Sequence, residues 1–314
     1  MKIVRNAFSG RQYMMHPDFE LLHFRDSTLS VIGDHYHDYY EIYFINSGAK
    51  VDYYIEGTQY KLKPNDILII NSMDVHRLEV DGDSVYDRVV LWLAPQYLKG
   101  LGSAETDLSG CFENTGKNKN RNLLRLPAEM LSPLKNSLIK IEKAYFGQNF
   151  GNDILIKSYL CEFLVLLNRA NLDIADEILE DDIGTNKLIE SALRHINKNL
   201  SEDLSLDRLS EHLFVSKYHL LREFKRNVGY TVHQYILIKR LLMAEELLSK
   251  SDMSITEICL QCGFGDYSNF MRLFTKHYGI PPSQFAKRAK LFNSDQLPDQ
   301  KTDTGEMDAI RKLP

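Results

Sequence analysis

Between Leu204 and Phe285 the apolar positions run through one order twice. Leu206, Leu209 and Leu213 stand at i, i+3, i+7 spacing, and Ile255, Ile258 and Cys262 repeat them, which predicts a short amphipathic helix in each copy. One extra residue enters the turn of the second copy. The match then resumes, with Leu220, Arg222, Phe224 and Gly229 opposite Phe270, Arg272, Phe274 and Gly279, and with Gln234 and Gln284 closing it. A repeat of about fifty residues, each holding a short helix, a tight turn and a longer helix, predicts tandem helix-turn-helix units. The short helices start at Ser205 and Ser254, and Ser254-Ile-Thr-Glu257 forms a capping box. The longer ones start at the N-caps Ser216 and Asp266 and stop at Gly229 and Gly279, and Pro281-Pro282 prevents the second from continuing. Lys187–Lys198 reads as a lead-in helix. A connector from about Val232 to Ser249 would be roughly 27 Å long. That length suits two recognition helices in successive major grooves, about 34 Å apart on B-DNA.

The period changes toward the N-terminus. From about Val31 to Leu93 the chain reads as short strands rich in β-branched and aromatic residues: 41–45, 50–55, 59–63, 66–70 and 88–93. Gly48, Glu56-Gly57 and Pro64-Asn65-Asp66 punctuate them. Many short strands at this spacing predict an antiparallel barrel or jelly roll. Asp107–Arg121 reads as a loop. Two helical patterns follow, from about Ala128 to Phe146 and from about Asn152 to Ala170. The second is apolar around much of its circumference, so it must bury two sides, one against the barrel and the other within the chain or against a second subunit. The expected organisation is α+β and multidomain. It comprises a barrel over 1–125, a helical segment over 126–172, an acidic linker over 173–185, an all-α domain of two helix-turn-helix units over 186–290 and a disordered polar tail over 291–314.

Composition narrows the class. With 44% hydrophobic and 26% charged residues among 314, the chain resembles ordinary globular proteins rather than disordered or membrane-spanning ones. No apolar run approaches the roughly 18 residues a spanning helix needs, and Met1-Lys-Ile-Val-Arg lacks a signal-peptide core. Cys111, Cys161, Cys259 and Cys262 are too scattered for a disulfide framework. Together these predict a cytoplasmic location and no membrane partner. The net charge of −5 hides a split: residues 186–290 hold 16 Lys+Arg against 11 Asp+Glu, and the remainder 22 against 32. A basic domain on an acidic body is the balance expected when one domain meets DNA.

The candidate chemistry lies in both halves. If Leu220 and Phe224 face inward, Lys217, Tyr218, Leu221, Arg222 and Lys225 turn outward. If Phe270 and Phe274 face inward, Tyr267, Ser268, Asn269, Met271, Arg272 and Lys276 turn outward. Arg222 and Arg272 suit bidentate readout of guanine and Asn269 suits adenine, whereas Lys217, Lys225, Arg226 and Lys276 suit phosphates. In the barrel, His35, His37 and Glu41 share odd parity on extended backbone, and His76 follows a later turn. Three readings stand beside one another. The four residues ligate a metal, or the cavity binds an organic effector with Tyr39 and Trp92 offering ring faces, or the residues hydrogen-bond within the barrel. The effector reading is preferred, with no metal, cofactor or catalytic residue required. Arg77 and Arg88 stand as partners for an anionic ligand. Cys259-x-x-Cys262 has no second ligand pair nearby and is not read as a zinc site.

Two resemblances carry this further. His35-x-His37-x3-Glu41-x6-Gly48 resembles the first motif of the cupin barrels, and Pro64 to His76 resembles the second, with Asp66 in place of the usual glycine and a longer Pro-to-His spacing. Ser216-Lys-Tyr-His-Leu-x-Arg-x-Phe-Lys225, the Arg240–Leu248 connector, Cys262-Gly-Phe-Gly-Asp-Tyr-Ser-Asn-Phe-x-Arg-x-Phe274 and Gly279-Ile-Pro-Pro-Ser-Gln-Phe285 resemble the signature of the AraC family of bacterial transcription regulators. That resemblance implies sequence-specific binding to an operator, control by a small molecule, often a sugar, in the N-terminal barrel, and a homodimer formed through the two following helices. RNA polymerase is a further candidate partner. The chain departs from the pattern at Cys259, where the family usually has Ala, and in lacking an Arg after Phe285. The alternative function is a metal-dependent cupin enzyme with an appended DNA-binding domain.

Overall fold

The computed structural model describes residues 13–27, 31–48, 50–72, 74–81, 85–113, 122–173 and 182–293. They form two compact units that divide between Asn186 and Lys187. None of the helices described is long and apolar enough to cross a membrane.

The first unit has strands β1 (Phe19–Asp26), β2 (Val31–His35), β3 (Tyr40–Ser47), β4 (Lys50–Ile55), β5 (Thr58–Leu62), β6 (Ile67–Ile70), β7 (His76–Asp81), β8 (Tyr86–Leu93), β9 (Leu123–Leu124) and β10 (Ile183–Thr185). They form two antiparallel sheets, ordered β1-β8-β3-β6-β9 and β10-β5-β4-β7-β2. One core lies between the sheets and is rich in aromatics, among them Tyr43, Tyr53, Tyr60 and Trp92. A second lies where helices α2 (Ala128–Tyr145) and α3 (Asn152–Asp173) cover the first sheet, with Phe44 and Leu91 against Leu138, Phe163 and Leu167. Strand β8 is therefore covered on both faces, and all eight of its residues are buried. Gly48 closes the turn after β3 at φ +127°, where a Cβ would sit 2.3 Å from the Val85 carbonyl oxygen, so the turn requires glycine.

Helix α3 buries Leu160, Phe163, Leu164 and Leu167 completely, while Ile154, Leu155 and Leu172 stay exposed. Six elements of this unit fall outside the strands and helices expected from sequence: β1, β2, β7, a short helix α1 (Pro95–Leu101), β9 and β10. The stretch expected as a loop buries Leu108, Cys111 and Phe112, so its first half is anchored in the core, and residues 114–121 lie outside the described residues. The end of the expected linker is an edge strand, because Ile183–Thr185 pairs with β5. Residues 174–181, the rest of that segment, lie outside the described residues.

The second unit is helical: α4 (Lys187–Lys198), α5 (Leu206–His212), α6 (Lys217–Val228), α7 (Val232–Lys250), α8 (Ile255–Gln261), α9 (Tyr267–Tyr278) and α10 (Pro282–Asn293). The expected caps all form. Ser205, Ser216, Ser254 and Asp266 accept from backbone N–H groups of the first turn, and Gly229 and Gly279 end α6 and α9 at positive φ. Thr231 and Gln234 add a capping box that starts α7. Phe264, Phe270 and Phe274 form the second copy's core with Cys259 and Cys262. Both thiols face that core and are free. The last helix runs to Asn293, three residues into the expected tail, and residues 294–314 lie outside the described residues.

Candidate functional site

The barrel cluster assembles by a route different from the one parity predicts. His35 ends β2 in the second sheet and Tyr40 begins β3 in the first, so the chain changes sheets between them. His76 starts β7 and stands directly across from His35 in the ladder. Glu41 lies on β3 opposite Trp92 of β8. The four predicted residues therefore converge from both sheets rather than from one strand face.

Their hydrogen bonds are specific. Glu41 Oε2 lies 3.0 Å from His37 Nε2 and accepts from Trp92 Nε1 at 3.1 Å, and Tyr53 Oη donates to Glu41 Oε1 at 3.5 Å. The rings of His37 and Tyr39 stack at 3.8 Å and 4°. The face that Tyr39 was expected to offer an effector is thus taken by His37. Burial lowers the pKa of His35, and it lowers that of His76 well below the ordinary imidazole value, with His35 and His37 adding to the second shift. His35, His37, Tyr39, Glu41, Tyr53 and Trp92 line, with Ile32, Tyr43, Arg88 and Val90, a cavity of about 30 Å³, and His76 is not among its lining residues. That admits a water or an ion but falls tenfold short of the roughly 300 Å³ at which small-molecule sites begin. Arg88, one of the lining residues, is buried and pairs Asp26 at 2.7 Å. Arg77 lies over the Tyr54 ring and pairs Asp34 and Glu79, away from the cavity.

In the helical unit the two longer helices present the expected faces with one exception. Lys217, Tyr218, Leu221, Arg222 and Lys225 of α6 are exposed, as are Tyr267, Ser268, Asn269, Arg272 and Lys276 of α9. Met271 is half-buried and packs on the second copy's core, because its neighbours on the helix circumference face that core. Arg272 Nη2 donates to Asn269 Oδ1 at 2.8 Å, which holds the two candidate base-reading side chains together one turn apart. Arg222 Nη2 donates to His219 Nδ1 at 3.4 Å, and Arg222 also approaches the buried Glu223. Three of the candidate phosphate contacts are engaged within the fold: Lys217 pairs with Asp207, Arg226 Nη2 lies 3.3 Å from Glu223 Oε2, and Lys225 Nζ donates to the Gly229 carbonyl at the end of its own helix. A feature that periodicity does not signal is an apolar cleft of about 630 Å³, lined in part by Leu204, Leu221, Ile236, Leu260 and Phe264. Its walls come from both helix-turn-helix copies and from α7, so only the tertiary fold reveals it.

Comparison with known proteins covers both units. A family model described as an AraC-like ligand binding domain matches residues 16–164, and one described as a helix-turn-helix domain matches residues 209–288. The chain is 24% identical over 255 residues to the HTH-type transcriptional activator RhaS of Escherichia fergusonii, covering 80% of this chain and 86% of the relative. It is 26% identical over 249 residues to RhaS of Salmonella arizonae, covering 79% and 85% respectively. Among solved structures, the C-terminal domain of the two-component response regulator yesN from Fusobacterium nucleatum is 32% identical. It covers 32% of this chain and 99% of its own, with a TM-score of 0.31.

Proposed function

The chain belongs to the AraC family, and we propose that it activates transcription by binding an asymmetric operator through α6 and α9 when a small effector occupies its barrel. The observation that carries the DNA-binding half is the pair of capped helices, each exposing one arginine at the matching position, Arg222 and Arg272. Arginine reads guanine bidentately in the major groove, and Asn269 beside Arg272 suits adenine. The remaining exposed residues of the two helices differ, Tyr218 and Leu221 against Ser268 and Asn269, so one chain reads two unlike half-sites in a fixed order. The α7 connector, 19 residues long, spans roughly 28 Å and suits successive major grooves.

The sensing half rests on the barrel. We assign the effector to the cavity between the sheets, with His35, His37, Glu41 and His76 as polar contacts and Trp92 as an apolar wall. A small carbohydrate is the first candidate class, since its hydroxyls match such groups. A molecule of that size enters only if the two sheets or their β2–β3 connection move apart, so binding and conformational change are one event. Occupancy then changes how the DNA-binding units are presented, and operator DNA must alter effector affinity by the same factor. The relatives are named activators, and promoter activation with RNA polymerase as partner is the outcome proposed here.

The test is footprinting of the full chain on the DNA flanking its own gene, with and without a panel of monosaccharides first ranked by thermal shift. Protection of about two DNA turns per chain, strengthened by a sugar that raises the melting temperature, is the expected result. Equal affinity for random and flanking DNA at all salt concentrations would overturn sequence-specific reading.

A further inference from the structure

Helix α7 divides its packing between the two helix-turn-helix copies. In its first half Tyr235 is completely buried, meets the Phe224 ring of α6 edge-on at 5.6 Å and exchanges hydrogen bonds of 3.2 and 3.3 Å with Asn197 of α4. In its second half Leu241, Ala244 and Leu248 enter the core of the second copy with Phe270 and Phe274, and the Leu241 carbonyl accepts from Tyr278 Oη at 3.3 Å. Arg240 stands at the changeover. A helix that packs with each copy separately sets how far apart they lie. It bends readily, however, and so holds their mutual rotation less firmly than their separation.

Arg240 supplies a second tie, away from the helix axis. Its Nε donates to the Leu200 carbonyl oxygen at 2.9 Å and its Nη2 to that of Glu202 at 2.7 Å. Both carbonyls belong to the turn between α4 and Ser205, the N-cap of α5, so the guanidinium holds the entry to the first copy. Gly263 lies beside the same guanidinium, in the turn that precedes α9 of the second copy. A Cβ there would stand 2.9 Å from Cζ and Nη2 of Arg240 and 2.4 Å from the Leu200 carbonyl oxygen. The entry turn, the guanidinium and the second-copy turn therefore meet at one point. The cleft of about 630 Å³ opens around that point, lined by Leu221 of α6 and Leu260 of α8 as well as by Arg240 and Gly263. A guanidinium suits the place because it donates along fixed directions from a rigid plane, whereas a lysine ammonium is a point charge on a flexible stem.

We infer that Arg240 is a positioning residue for operator recognition. By tying the turn that leads into the first copy to the turn that leads into α9, it fixes the rotation between α6 and α9 as well as their separation. It thereby sets the number of base pairs between the two half-sites that one chain reads. Each base pair adds about 3.4 Å and about 35° along B-DNA, so a rigid pair of helices admits one spacing and a swivelling pair admits several. Holding the pair ready also spares the cost of ordering it on the DNA. The inference rests on α6 and α9 both reading DNA, and it adds what sets the register between them.

The experiment uses the full chain and the operator located by footprinting. Further probes carry one or two base pairs inserted between the half-sites, or one half-site scrambled. Wild type should lose about 30-fold or more in affinity on a single inserted base pair. Arg240→Gln should bind the natural spacing about tenfold more weakly, yet lose less than about threefold on the insertion. Arg240→Lys keeps the charge and the stem but should follow Arg240→Gln rather than wild type. On the probe with one half-site scrambled, wild type and both variants should bind alike, which a general loss of folded protein would not allow. An Arg240→Gln protein with wild-type circular dichroism and a wild-type spacing profile would overturn the clamp and leave the reading by α6 and α9 intact. Wild type that prefers the operator to random DNA but accepts every spacing equally would overturn it too, even if the variants failed to fold. Wild type that does not distinguish the operator from random DNA would remove the reading on which the clamp rests.

Discussion

At the scale of single residues, the repeat shows where its two copies had to diverge. Phe214 occupies the first turn at φ +55° with its ring 95% exposed, and the second turn places Gly263 at φ +77°. A side chain in the left-handed region costs roughly 1–2 kcal/mol, and an exposed ring recovers little of it by burial. Phe214→Gly should therefore stabilise the helical unit by ~1 kcal/mol in urea unfolding of the full chain, and a loss of stability would show the ring to be buried by something the fold supplies. His23 makes the opposite case, a buried ionisable residue with a purpose. Its ring lies 2.5 Å from Glu142 and 3.0 Å from Asp87, and these carboxylates raise its pKa above 6.5 against the opposing effect of burial, with the Glu142 hydrogen bond the largest cause. A raised folded-state pKa means that the protonated form stabilises the fold below pH 6.5 and that this contribution disappears as pH climbs through the folded value. Stability of the sensing unit should fall from pH 6.5 upward more steeply in wild type than in His23→Gln, and parallel pH profiles would remove His23 from the account. Neither partner of His23 was legible in the sequence, since Glu142 stands 119 positions away. The histidine cluster was legible as a set but not in its cause. Parity assumes one continuous strand, and periodicity carries no sign that the chain changes sheets between His35 and Tyr40.

At the scale of elements, what the sequence encodes locally is what could be read from it. Caps, stops and i, i+3, i+7 stripes are interactions within a few residues, and α5, α6, α8 and α9 appeared at their expected places with their expected caps. Strand β1 was missed because Glu20 and His23 interrupt its apolar pattern; both are buried, Glu20 accepting from the His16 backbone N–H just before the strand and His23 pairing with Glu142 across the unit. Strand β10 is three residues with a central glycine, and its position owes more to ion pairs than to propensity. Asp182, immediately before it, accepts from Lys63 and Arg125, which hold its carboxyl below its ordinary pKa range, while Arg125 also makes a bidentate pair with the buried Asp66 at 2.7 and 2.8 Å. Asp66 thus has a structural task at the position where the cupin motif usually carries glycine. Removing its guanidinium leaves a carboxylate that is 1% exposed with only the Lys63 backbone N–H. Arg125→Ala should destabilise the sensing unit by ~3 kcal/mol, and Asp66→Asn combined with Arg125→Met should recover part of that loss. Additive losses in urea unfolding would show that the pair does not couple. The recognition helices make the complementary prediction. Arg222→Ala and Arg272→Ala should each weaken specific binding by ~1–3 kcal/mol and relax different positions of the operator. Equal losses on specific and random DNA would reduce both arginines to phosphate contacts.

At the scale of the whole molecule, the question is how many chains one operator engages. On the proposed reading a single chain recognises an asymmetric sequence through two unlike helices, so symmetry in a natural site would have to come from a second copy. Helix α3 is the surface we propose for one. Its inner side is completely buried at Leu160, Phe163, Leu164 and Leu167, yet Ile154 and Leu155 in its first turn and Leu172 in its last remain exposed on a helix that already covers the barrel. Apolar residues at both ends of one outward face cost solubility unless a partner covers them, and an antiparallel copy of the same helix would set the first turn of one against the last turn of the other. Leu155→Asp should then convert a sedimenting dimer to monomer and abolish the concentration dependence of the melting temperature, while the monomer keeps its fold because Leu155 is exposed. On DNA the same variant should still protect about two turns, the span of one chain, but should lose the second, repeated block that wild type protects. A variant that stays dimeric, or a wild type that is monomeric at micromolar concentration, would assign the face to something other than a second copy. A monomer that loses the whole footprint would instead show that one chain's pair of helices does not suffice for specific binding, and that the asymmetric half-site has to be read twice.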